Sequence, residues 1–262
     1  MNQSYAEILA HHVFELKYEQ LSSSTVQKTK QCLLDYMGGV FHASSSETAI
    51  SYINLAKELG GDGTAEILGS KVKTTASYAA FANAALGHIA ETDDGHRASI
   101  MHIGTVVFPV IFSLRSETPI NGRDIIEATV AGYELAIRVG ECLNQSHYNT
   151  WHTTATAGTF GAAVATAKLL KLSEEQTVWT LAHAGTQMAG LWQFLDDNCL
   201  TAKVLHPAKS AQNGIIAAFT AKANIPGPSH IFEGERGVAN AYSSNSDLSY
   251  LIKDLGKIHK VD

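Results

Sequence analysis

All five prolines of this chain lie at Pro109 or later, at positions 109, 119, 207, 226 and 228. The N-terminal portion is therefore free of the strongest helix breaker, and its apolar residues return at helical rather than alternating spacing. Ile8, Leu9, Val13 and Phe14 predict one face of a helix over Tyr5 to Phe14. Ser22-Ser23-Ser24 offers N-cap hydroxyls to a second helix through Val26, Leu33, Leu34 and Met37, expected to stop near Gly38-Gly39. A third helix is expected from Thr48 to Leu59, ended by Gly60-Gly61-Asp62-Gly63, and Ala65 to Leu68 reads as an isolated strand or an extended connector. Thr74 to Ala90 is dense in alanine with a few large apolar residues, which suits a helix packed on several sides.

Beyond the first proline the same period continues. An apolar stretch runs from Thr105 to Leu114, and Asn121 or its neighbour opens a long amphipathic helix from Arg123 to about Leu143. Thr156 to Leu170 carries small residues at spacings that let helix backbones approach closely. Ser173-Glu174-Glu175-Gln176 is a capping box for a helix toward Met188, and a last helix starts between Pro207 and Ser210 and runs to Asn224. Seven or eight helices with short connections and no repeat of fixed period predict an all-α fold in which residues 1–262 form a single helical domain.

Composition narrows the function classes. The formal net charge is −6 and no basic run occurs, so binding to nucleic acid or an anionic membrane surface is not expected. Cys32, Cys142 and Cys199 are odd in number and far apart, which offers neither a disulfide framework nor a metal knuckle. With no signal peptide or membrane-spanning run in the sequence, a reducing, cytoplasmic location is expected.

The densest chemistry is Glu91-Thr92-Asp93-Asp94-Gly95-His96-Arg97, preceded by His88 and followed by His102. Carboxylates at the exit of a helix face the negative end of its dipole, so a compensating His, Arg, metal or substrate contact is expected. A solvated surface loop is the alternative. His152 precedes the small-residue helix, whose threonine-rich N-terminus suits an anion; alone, His152 also reads as a packed histidine. Lys203 and Lys209 flank His206-Pro207-Ala208 at a helix start, where a carboxylate could bind, and Asp196 or Asp197 could equally pair with them. His88, Asp93, Asp94, His96 and His102 could instead supply the ligands of a metal-dependent hydrolase on an all-α scaffold. Nucleophile-elbow, P-loop and dinucleotide motifs are lacking.

AAFANAALGHIAETDDGHR with His102-Ile103-Gly104, then WHTTATAGTFGAAVATAKLLKL, AKVLHPAKSAQNGIIAAFTA and IFEGERG together resemble the MmgE/PrpD family in order and spacing. That family includes 2-methylcitrate dehydratase, cis-aconitate decarboxylase and iminodisuccinate epimerase. The resemblance implies a large helical domain, an α/β lid, a homodimer and a cofactor-free site between the domains, requiring no metal. It implies catalytic roles for His102, His152, Asp93 and Asp94, and substrate binding by Lys203, His96 and Arg97. Ile103 and Ala208 depart from the family's usual Pro and Gly.

The expected function is thus a cofactor-independent lyase or isomerase that moves a proton next to a carboxylate of a small di- or tricarboxylate. His102 or His152 would be the base, oriented by Asp93 or Asp94. Set beside the family, 262 residues match the helical domain, and the lid is expected to be absent or supplied by a partner chain. A catalytically incomplete half is therefore the remaining alternative.

Overall fold

The computed structural model describes residues 3–262 and is mainly helical. Among the described residues the eleven α-helices are α1 Tyr5–Glu15, α2 Ser23–Ala43, α3 Glu47–Gly60, α4 Ala76–His88, α5 Gly104–Ser113, α6 Gly122–Tyr148, α7 Thr153–Leu169, α8 Glu174–Gly185, α9 Gln193–Asp196, α10 Leu205–Lys222 and α11 Val238–Tyr242. Short 3-10 turns, including Leu200–Val204 and Leu248–Leu251, join some of them. The extended segment expected at Ala65 is β1, Ala65–Glu66, paired antiparallel with β2, Lys73–Thr74. No helix among the described residues is long and apolar enough to cross a membrane.

Two helices sit at the centre because they have no polar face. α4 is buried from Ala79 to His88, and α7 is buried along nearly all of its length. A helix apolar all round must be covered on all sides. α7 packs between α6 and α10, and α10 also packs on α4. These approaches need small residues. A Cβ on Gly161 of α7 would sit 2.8 Å from the Gly132 carbonyl of α6, and one on Gly214 of α10 would sit 2.5 Å from the Ala162 Cβ.

Gly38-Gly39 does not end α2, which continues to Ala43. A Cβ on Gly39 would lie 3.3 Å from the Gly87 carbonyl of α4, so this glycine serves a close helix crossing rather than a stop. The apolar stretch after Thr105 is helical despite Pro109 inside it. α6 follows the sequence pattern to Leu143, where Asn144 (φ 54°, ψ −161°) redirects the backbone before a final turn.

The segment after α11 has little regular structure and is held from α6. Glu134 and Arg138 are fully buried and paired at 2.6 Å. Arg138 donates to the carbonyls of Tyr250 (3.3 Å) and Lys253 (2.7 Å), while Glu134 accepts from the Lys260 backbone N–H at 2.8 Å.

Candidate active site

The ends of the central helices meet. α4 finishes at His88, α7 begins after His152, and the two imidazole rings lie 6.1 Å apart. α5 begins just after His102, whose ring is 5.1 Å from that of His88. α10 begins two residues after Lys203. The starts of α5 and α7 and the 3-10 turn Leu200–Val204 that runs into α10 therefore meet in one region, where the positive ends of the helix dipoles of α5 and α7 favour an anion.

A cleft of about 440 Å³ opens there, lined by His96, Arg97, His102, His152, Trp192 and Lys203. Five of the seven residues singled out from sequence are among them. Asp93 and Asp94 belong to the loop beside it, and the two adjacent carboxylates point to different partners. Asp93 Oδ2 accepts from His88 Nδ1 at 2.8 Å and lies 3.5 Å from His102 Nδ1. Asp94 is turned away: Oδ1 accepts from the Gly104 backbone N–H at 2.8 Å, and Oδ2 accepts from the Tyr133 hydroxyl at 2.6 Å. Enclosure raises the Asp94 pKa above its ordinary value, against those two hydrogen bonds. A side chain at Gly104 would collide with this arrangement, since its Cβ would lie 2.8 Å from Asp94 Oδ1. The side chain of Asp94 thus orients neither histidine, and only its backbone carbonyl reaches His102.

That carbonyl fixes the chemistry of His102. His102 Nδ1 is 3.0 Å from the Asp94 carbonyl oxygen and 3.2 Å from that of Asp93. Carbonyls only accept, so Nδ1 carries a proton and, in the neutral ring, Nε2 presents a lone pair. The His102 backbone N–H is held by Thr154 Oγ1 at 3.0 Å, which ties the loop to α7. His88 is fully buried and donates Nδ1–H to Asp93, leaving its Nε2 3.8 Å from Glu91 Oε1.

Lys203 is mostly covered and pairs with Glu91, which the sequence reading left without a role. Glu91 has φ 53° and Ile100 has φ 51°, both in the same loop. A positive φ is an outlier for a β-branched residue, and such strain is concentrated at sites whose surroundings enforce it. The alternative pairing of the lysines with Asp196 or Asp197 is not seen among the described residues: Asp197 accepts from Gln193, and Lys209 donates to Gln212.

His96 bonds Ser99 through Nδ1 at 3.0 Å, and burial lowers its pKa. Arg97 is exposed. Of the five ligands weighed for a metal centre, only His88, Asp93 and His102 offer atoms within 4.8 Å of one another among the described residues. Asp94 and His96 are engaged elsewhere.

His206, at the start of α10, carries no chemical role on sequence grounds. Its Nδ1 lies 3.0 Å from His152 Nδ1. Trp192 lies against the His152 ring, tilted by 46°, with centroids 4.6 Å apart. A histidine next to a helix-starting proline carries no signal that separates it from an ordinary first-turn residue.

The fold is thus a mainly helical scaffold whose helix ends gather histidines, a buried carboxylate and a lysine around one cleft. Residues 7–251 match the MmgE/PrpD N-terminal domain, and the chain belongs to that family. It is 28% identical over 266 residues to human cis-aconitate decarboxylase, covering 94% of this chain and 52% of that protein. It is 25% identical over 236 residues to a cis-aconitate decarboxylase of Aspergillus terreus, covering 87% of this chain and 48% of that protein. The mouse cis-aconitate decarboxylase is 26% identical over 259 residues. The chain spans about half the length of these curated relatives.

Proposed function

We propose that this protein serves a cofactor-independent lyase or isomerase reaction on a small di- or tricarboxylate, in which a proton moves at the carbon beside a carboxylate. The observation that carries this reading is the orientation of His102: its Nδ1–H is spent on the Asp94 carbonyl, so a basic Nε2 remains at the cleft. Lys203, with Arg97 at the rim, supplies charge for carboxylates, and the converging helix N-termini add to it. His152 is the second proton carrier. Abstraction by His102 would place negative charge on the substrate carboxylate held by Lys203. Loss of a β-hydroxyl as water then gives a dehydration, and return of the proton on the other face gives an epimerisation. Decarboxylation runs the acid way, with a proton delivered to an alkene carbon as carbon dioxide leaves. The names of the relatives favour this last reaction.

The reading includes a homodimer and an α/β lid over the cleft, contributed by a partner chain or by more of the same polypeptide. Turnover of cis-aconitate, 2-methylcitrate and iminodisuccinate, with and without a candidate lid chain, tests reaction class and completeness together. Activity on none of them under either condition would remove it.

The cluster of His88, Asp93 and His102 gives a specific footing to the second reading, a metal-dependent hydrolase. Metal analysis of protein purified without chelator separates the two: a stoichiometric transition metal favours the hydrolase.

A further inference from the structure

Two neutral imidazoles whose Nδ1 atoms lie 3.0 Å apart cannot both be protonated there, and cannot both be bare without losing the contact. One Nδ1–H must donate to the other ring. We infer that His206 is a positioning residue for His152: the pair shares one Nδ1 proton, whose position sets whether His152 Nε2 is a proton donor or a proton acceptor. This rests on reading His152 as a proton carrier.

The balance is simple. With the shared proton on His206, the remaining proton of His152 is on Nε2, which can donate. When Nε2 gives that proton to a substrate atom, the shared proton crosses to His152 Nδ1, and the half-buried His206 takes up a proton from water at its own Nε2. His152 Nε2 is then a lone pair, and the reverse sequence restores it. Neither ring ends with a net charge, so His152, itself closed off from water, can both give and accept protons through the half-buried His206.

The surroundings favour that neutrality. Burial first of all opposes a second proton on His152, and the positive or potentially positive neighbours add to it: His206 from α10, His88 from α4, Lys203 from the 3-10 turn and His102 from the loop before α5. Burial, with His88 and Lys203, pushes His206 down to about 4. Aromatic rings hold the geometry. Trp192 packs at a tilt against His152, and Phe194 meets His206 edge-on with ring centroids 5.4 Å apart.

The test is nuclear magnetic resonance of the chain carrying 15N-labelled histidine, near neutral pH. A through-hydrogen-bond coupling between the two Nδ1 nuclei is expected, with one protonated and one bare nitrogen. His206→Phe should abolish the coupling and change the tautomer ratio of His152, while circular dichroism stays unchanged. In His206→Asn, whose amide still meets Nδ1, the wild-type His152 tautomer ratio should be largely restored. With a turned-over carboxylate in hand, His206→Phe should lower kcat by roughly tenfold or more with little change in KM, and the Asn variant should recover most of it. Two bare or two protonated Nδ1 atoms in the wild-type chain, or an unchanged His152 tautomer in His206→Phe, would overturn the inference. If no carboxylate is turned over, the proposed reaction fails while the spectra still decide the proton sharing.

Discussion

The carboxylate of Glu91 occupies the ammonium of Lys203, and Glu91 holds this position from a left-handed backbone conformation. An internal carboxylate on the one mostly covered lysine of the cleft stands where a substrate carboxylate would bind. Glu91→Gln should keep the loop shape and free the lysine. Affinity for a small dicarboxylate, measured by calorimetry, should rise about two- to fivefold, the scale of a half-exposed ion pair. Unchanged or weaker binding would mean that Glu91 does not compete for Lys203.

Adjacent carboxylates should behave oppositely. Asp93→Asn weakens the bond that holds the buried His88 and faces His102, and turnover should fall by about 100-fold or more. Asp94→Asn keeps an acceptor for Gly104 and leaves the carbonyl that orients His102 in place, so turnover should stay within about threefold. Because the Asp94 pKa is raised on folding, its ionisation favours the unfolded state. That cost is absent below the ordinary carboxylate range and grows as pH rises through the raised value. Thermal melts should therefore show Asp94→Asn as stable as the parent, or more so, at neutral pH.

His147 sets an acid limit. It donates Nδ1–H to the Tyr242 carbonyl, pairs through Nε2 with Thr156 Oγ1, and burial pushes it down to about 4. The unfolded chain takes up this proton near pH 6.5 and the folded one resists it until about 4. Stability is therefore complete above the unfolded value and is lost as pH falls through that window, by about 3 kcal/mol from this group alone. Urea midpoints between pH 7 and 4 measure the loss, and His147→Gln should flatten it.

The C-terminal segment depends on one buried pair. Arg138→Ala removes the donor to the carbonyls of Tyr250 and Lys253 and leaves Glu134 buried without its partner. The expected cost is about 3–5 kcal/mol, and proteolysis should shift to the segment after Leu248.

Much of the fold was legible because it is written locally. Helical spacing, the Ser173 capping box and the alanine-dense runs of α4 and α7 each lie within one turn or one helix. What sequence reading missed depends on distance along the chain or on direction. Gly39 looks like a stop until Gly87 of another helix is placed against it. Glu91 and Lys203 are 112 residues apart, so no spacing rule pairs them, and the nearer Asp196 and Asp197 were the natural wrong choice. Asp93 and Asp94 look alike in sequence; only Tyr133 and Gly104 show which one is turned away from the histidines.

The most direct measurement is exchange of substrate carbon-bound hydrogen in D2O, followed by nuclear magnetic resonance, on whichever of cis-aconitate, 2-methylcitrate or iminodisuccinate is turned over. Proton transfer through His102 requires deuterium to enter beside a carboxylate with the wild-type chain. His102→Ala, folded as judged by circular dichroism, should lose that exchange by about 100-fold or more. Equal exchange in both proteins, or turnover without incorporation that disappears on removal of a bound metal, would contradict it.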